Sequence, residues 1–167
     1  APEARPIEKI NQRVLLVDRA AKQNALTNIL SNRDVERAIV FTRTKRGADK
    51  VCRHLDKMGL SAAAIHGNKS QSQRQKTLDG FKAGRVTILV ATDIAARGID
   101  VDGVSHVVNF EMPNVPEAYV HRIGRTARAG KSGIAVSLCD NSERNLLRDI
   151  ERLIGAKISS KQDEGYI

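Results

Sequence analysis

The chain has 167 residues, 41% of them hydrophobic, enough for one domain with its own core and too short for two. Lys and Arg number 28 against 19 Asp and Glu, and the net charge of +9 points to nucleic acid or nucleotide phosphates and away from an acidic protein or a neutral small molecule. Only 3% of residues are aromatic, too few for a platform that stacks bases, so a bound nucleic acid would be held by its backbone.

Residues 1–12 contain the polar, proline-bearing APEARP and read as a linker or the start of a domain; a first residue other than methionine suggests a piece of a longer protein or a processed one. RVLLV (13–17) predicts the first strand, followed by helical periodicity over 19–31. RAIVFT (37–42) predicts the second strand and 45–58 the next helix, with Ala48, Val51, Cys52, Leu55 and Met58 at helical spacing and Gly59 as its C-cap. AAAIH (62–66) is a third strand before a helix over 70–83, and VTILVAT (86–92) and SHVVNF (105–110) are the fourth and fifth. A helix over 115–123 carries Pro116 in its first turn, GIAVSL (133–138) is the sixth strand, and 142–154 the last helix. The domain therefore spans 13–155, and the tail from Ala156 is polar enough to be loosely held. Alternating strands and helices predict an α/β fold, a mostly parallel central sheet whose continuously apolar strands are covered by helices on both faces.

Cys52 lies in a helical pattern and Cys139 follows an apolar run, so both read as buried thiols. With no CxxC or HExxH and four scattered histidines, no metal site is expected. No apolar run approaches the ~18 residues of a membrane span, and the setting is expected to be reducing and cytoplasmic, without membrane contact.

Functional residues of an open α/β sheet lie beyond the carboxyl ends of its strands. There the sequence places Arg43, Thr44 and Lys45, then His66, Gly67, Asn68 and Lys69, then Thr92 and Asp93. Hydroxyls and backbone N–H groups donate to phosphate oxygens, lysine adds charge, and Gly67 permits close backbone approach. Thr44 and Ser70 also suit ordinary helix N-caps. Further on, HRIGRTARAGKSG (121–133) holds Arg122, Arg125, Arg128 and Lys131 with no acid among them. Arg125 and Arg128, three apart, could converge on one anion. GRTARAGKS is not a Walker A loop: five residues instead of four separate its first glycine from GK, and a helical pattern precedes it in place of a strand. The segment supplies arginines to a nucleotide without the apparatus that binds Mg2+ and phosphates alone.

From Val14 to Ile154 the sequence resembles the second, C-terminal RecA-like domain of a DEAD-box RNA helicase, most of all the bacterial RhlE-type subgroup. IVFTRTK (39–45) is similar to the family's motif IV, Gln71 to Arg74 with Phe81 to its QxxR element, ATDIAARGID (91–100) to motif V, HVVNFEMP (106–113) to the segment after it, and HRIGRTAR (121–128) to motif VI. Ala127 departs from the pattern, where glycine is commoner.

The resemblance implies a three-layer RecA-like fold related to P-loop NTPases. It implies that Arg125 and Arg128 act as arginine fingers on ATP, that His121 couples to the DEAD motif of the other domain, that Arg97 lies near the attacking water and that Asp100 reaches the ATP ribose. It assigns Thr44, Gly67, Lys69 and Thr92, with Asn68 beside them, to the RNA sugar–phosphate backbone. ATP with Mg2+ would be held mainly by an N-terminal RecA-like domain, the principal partner besides RNA, with the ribosome or RNA-degradation machinery as further candidates; the domain alone would be inactive. Two other readings are a non-catalytic RNA-binding module, which leaves Asp100 unexplained, and half of a DNA-directed superfamily 2 helicase, which shares the fold and the arginines.

Overall fold

The computed structural model describes residues 9–127 and 132–160. Six strands, β1 (Ile10–Leu16), β2 (Ala38–Thr42), β3 (Ala62–Ile65), β4 (Ile88–Thr92), β5 (His106–Asn109) and β6 (Gly133–Cys139), form one sheet in the order β1-β6-β5-β2-β4-β3. Every pairing is parallel. The helices are α1 (Lys22–Leu30), α2 (Lys45–Lys57), α3 (Gln71–Lys82), α4 (Asp93–Arg97), α5 (Pro116–Ile123) and α6 (Arg144–Ile154), with single 3-10 turns leading into α1 and α6.

Parallel strands must be covered on both faces, and alternate residues of each strand feed two separate cores. Ile39, Phe41, Leu89, Ala91 and Val107 pack with Leu78 and Phe81 of α3, Tyr119 and Ile123 of α5 and Ile150 of α6. Ala38, Val40, Ile88, Val90 and Val108 pack on the opposite face with Leu26 and Ile29 of α1 and Val51 and Leu55 of α2. The expected three-layer α/β arrangement is thus the one observed.

Local signals act as read. Thr44 caps α2 by accepting from the Gly47 N–H (3.0 Å), and Ser70 caps α3 in a reciprocal box with Gln73. Pro116 opens α5, and Gly59 follows α2 at φ +80. Three features differ from the reading. β1 begins at Ile10, three residues before the run read as the first strand. α4, a five-residue helix directly after β4, has no periodicity long enough to announce it. The tail is anchored as far as Ser159: Ile158 is buried, its N–H donates to Glu151 Oε2 (2.8 Å), and the Ser159 carbonyl accepts from Val14 N–H (2.8 Å) on the edge of β1.

Candidate functional site

Because β2, β4 and β3 are neighbours in the sheet, the three rim segments read from the sequence lie side by side at the carboxyl edge. Thr42 and Thr92 stand in register, and Thr42 Oγ1 donates to the Thr44 carbonyl (3.0 Å), so the end of β2 and the end of β4 share one ledge. Lys45 Nζ reaches across to Asn68 Oδ1 (3.1 Å), joining the α2 N-terminus to the loop after β3. Thr44, Gly67 and Asn68 are exposed, Lys69 is half-buried and Thr92 is buried at the foot of the ledge.

The loop after β3 is held from beneath. His66 is buried and its Nε2 lies 2.8 Å from Asp49 Oδ1, while its Nδ1 accepts the Asn68 N–H (3.2 Å). An accepting Nδ1 puts the proton of the neutral ring on Nε2, which donates to the carboxylate. Asp49 Oδ1 also lies 3.9 Å from Lys69 Nζ.

A second group gathers on the α4 and α5 face. An open cleft of about 60 Å³ is lined by Phe41, Asp93 and Arg97 on one side and His121, Arg122 and Arg125 on the other. His121 and Arg97 are exposed. Arg125 donates through Nη1 to the carbonyls of Ile99 (3.0 Å) and Val101 (3.3 Å) and through Nη2 to that of Ala96 (2.7 Å), so motif VI grips the motif V loop. Carbonyls are neutral, so none of these bonds cancels the guanidinium charge. Asp100 is exposed on the same loop but does not line the cleft. Arg128, Gly130 and Lys131 lie outside the described residues.

Two arginines have other tasks than the sequence assigns them. Arg122, grouped there with the ATP-directed cluster, is 1% exposed; it clamps Asp93 with Nε (2.7 Å) and Nη2 (2.9 Å), and its Nη1 donates to the Glu111 carbonyl (2.7 Å) and Asn109 Oδ1 (3.2 Å). With its charge neutralised and nearly all donors used, it is an internal strut between α5, α4 and β5. Arg43, read as a rim cation, bonds Glu143 Oε2 (2.7 Å) and the Met112 carbonyl (2.8 Å). Glu143 is buried and also receives Lys22 Nζ (2.6 Å) and the N–H groups of Met112 (2.9 Å) and Asp140 (3.1 Å). Lys22, Arg43 and Met112 come from distant parts of the chain and nothing local marks them; only the Asp140 N–H is local, through the capping box that opens the 3-10 turn. Asp93 had one available signal: an acid at the carboxyl end of a buried strand needs a cation or a helix start.

Thr126 pairs with Val104 in an isolated parallel bridge and lies beside Gly133 at the start of β6. Its hydroxyl donates to the carbonyls of Val104 and Ser105, and Ala127 follows at φ 59, in the left-handed region. That conformation explains why glycine suits this position. A Cβ on Gly133 would stand 2.2 Å from Thr126 Oγ1 and 2.7 Å from the Ala127 nitrogen, so only glycine lets β6 pass.

A six-stranded parallel α/β sheet with this carboxyl edge is a RecA-like domain. Residues 21–130 match the family described as helicase conserved C-terminal domain, and the chain belongs to that family. It is similar to the DEAD-box ATP-dependent RNA helicase CshA of Bacillus subtilis, 44% identical over 157 residues, which are 94% of this chain and 32% of that protein; the chain thus spans about a third of this relative. Among solved structures it is similar to Escherichia coli SrmB bound to the regulator of ribonuclease activity A, with TM-score 0.88, 38% identity and coverage of 91% of this chain and 90% of that one. It is also similar to Saccharomyces cerevisiae Dbp5 bound to RNA and ADP BeF3, with TM-score 0.86, 30% identity and coverage of 93% and 42%.

Proposed function

We propose that this chain is the second RecA-like domain of a DEAD-box ATP-dependent RNA helicase, that it works with an N-terminal RecA-like domain, and that it is inactive alone. Within the family the proposal extends to the RhlE-type subgroup, whose motif strings the sequence resembles. The observation that carries the reading is the division of the carboxyl edge into two groups: Arg97, His121 and Arg125 around the small cleft, and Thr44, Gly67, Asn68, Lys69 and Thr92 along the ledge of β2, β4 and β3.

ATP and RNA would bind across the cleft between the two domains, and closure would bring Arg125 and Arg128 onto the γ-phosphate before it is transferred to water. A cleft of about 60 Å³ is too small to enclose a nucleotide, so this chain fits one side of a site completed by the partner domain. Arg125, which among the described residues is held through neutral carbonyls, keeps a full charge for the γ-phosphate, with Arg128 as the second finger and His121 coupling to the partner. Arg97 would act near the attacking water and Asp100 at the ribose. Mg2+ would be held with ATP mainly by the N-terminal domain. The ledge would hold successive phosphates of one RNA strand without reading bases, consistent with the scarcity of aromatic residues. Dbp5, bound to RNA in a similar structure, supports an RNA ligand.

The test joins this chain to the N-terminal domain and measures ATP turnover with RNA, with DNA and with no polymer. RNA-stimulated turnover is expected only in the joined protein. Arg125→Ala is expected to lower it by about 10³ to 10⁵, the usual worth of an arginine finger, with little change in RNA affinity in the absence of nucleotide. Equal stimulation by DNA would favour the DNA-directed reading. RNA-stimulated turnover by this chain alone would overturn the proposal.

A further inference from the structure

A carboxylate stands where a polyanion is expected to bind. Asp49 Oδ1 is 3.9 Å from Lys69 Nζ and its side chain is 37% exposed, so it partly neutralises the cation that would meet phosphate and repels the ligand itself. By charge alone the rim would bind RNA better without it. Asp49 nevertheless makes one short bond, 2.8 Å to Nε2 of His66, whose side chain is 3% exposed. That bond fixes the ring with Nδ1 turned to the Asn68 N–H (3.2 Å), and the Lys69 N–H closes the turn on the His66 carbonyl (3.1 Å). One acid on the first turns of α2 thereby sets the backbone of the loop after β3.

We propose that Asp49 is a positioning residue for the RNA-holding loop, acting through His66 to fix Gly67, Asn68 and Lys69 in the shape that receives phosphate. The proposal rests on the reading that this loop holds RNA. Two consequences of opposite sign separate shape from charge. If Asp49 mattered only as a charge, Asp49→Ala would tighten RNA binding. As a positioning residue its loss weakens binding, because the imidazole is no longer held and the loop must be ordered by the ligand.

The experiment measures binding of a labelled oligouridylate to the 167-residue chain at low salt, with Asp49→Ala, Asp49→Asn and Lys69→Ala. Asp49→Ala is expected to weaken binding about five-fold, as for one hydrogen bond of ordinary net strength. Asp49→Asn keeps an oxygen acceptor for Nε2 and removes the charge, and is expected to bind at least as well as wild type. Nitrogen-15 NMR of His66 is expected to show the proton on Nε2, with the amide resonances of Gly67, Asn68 and Lys69 shifting in Asp49→Ala and staying near wild type in Asp49→Asn. Unchanged or tighter binding by Asp49→Ala, an equal loss in both Asp49 variants, or unshifted loop amides would each overturn the positioning role. Lys69→Ala reports separately on the loop as an RNA site: unchanged affinity there would sink that reading while leaving the NMR result to stand on its own.

Discussion

The Arg122 guanidinium grips Asp93 at two points, Nε to Oδ1 at 2.7 Å and Nη2 to Oδ2 at 2.9 Å, and stacks 5.3 Å from the centroid of Phe41. Its neighbour three residues on, Arg125, meets only carbonyls among the described residues. One helical turn thus separates an arginine spent on the fold from one whose charge is still available.

Arg122→Lys keeps the charge but cannot form the fork, and it leaves Asp93 short of a partner. We expect a loss of about 3 kcal/mol in urea unfolding, the low end for a broken buried pair because Asp93 is 33% exposed. Stability unchanged within experimental error would show the strut to be dispensable.

The end of motif VI gives a pair of opposite effects. Gly133→Ala drives a methyl into Thr126 and the Ala127 backbone, and about 2 kcal/mol of destabilisation is expected for such overpacking. Ala127→Gly relieves the left-handed conformation, worth roughly 1–2 kcal/mol, against roughly 0.4–1 kcal/mol for a freer unfolded chain. A net gain of about 0.5–1 kcal/mol should raise the melting temperature by about 1–4 °C. A fall in melting temperature for Ala127→Gly would contradict the φ at this residue.

Burial acts to raise the pKa of Asp140, but the Ser142 hydroxyl and N–H and the charge of Lys22 outweigh it and hold the carboxyl below its usual range. A carboxyl depressed by folding adds stability above its unfolded pKa, and that stability is lost as pH falls through the folded value. Asp140→Asn should therefore cost stability near neutrality and little once the pH is well below about 4. Urea midpoints of both proteins across that range check it; parallel curves would count against the linkage.

Burial pushes both thiols up to about 11, Cys52 with help from Asp56 and Cys139 with help from Glu143. At pH 8 the thiolate fraction of each is roughly a thousandth, so iodoacetamide should label native protein far more slowly than free cysteine. Cys139 is buried, whereas Cys52 is only half-buried, short of the buried thiol that the sequence suggests; labelling of either at the free rate would contradict its raised pKa.

The six strands are legible because parallel strands covered on both faces are written as short continuous apolar runs, and the capping residues Thr44, Ser70 and Pro116 act where they stand. The ledge is legible too, since topology alone brings the ends of β2, β4 and β3 together. What the chain hides is which charge answers which. Arg43 and Lys22 converge on Glu143 from 100 and 121 residues away, and Arg122 finds Asp93 across 29. Composition counts such cations as free, whereas folding neutralises them and leaves a smaller, better aimed set. His66 illustrates the same point: its value lies in Asp49, seventeen positions back on another element.

The placement of β6 between β1 and β5 governs how the chain can be built. Ile10 pairs with Gly133 and Leu16 with Cys139, and the other edge of β1 meets Ser159. During synthesis the first strand emerges long before its partners, while β2, β3, β4 and β5 can already assemble. β1 must wait without its sheet partner until nearly the whole domain has left the ribosome. The last strand to be made therefore closes the sheet from within, and a chain stopped before it leaves the first strand with nothing to join.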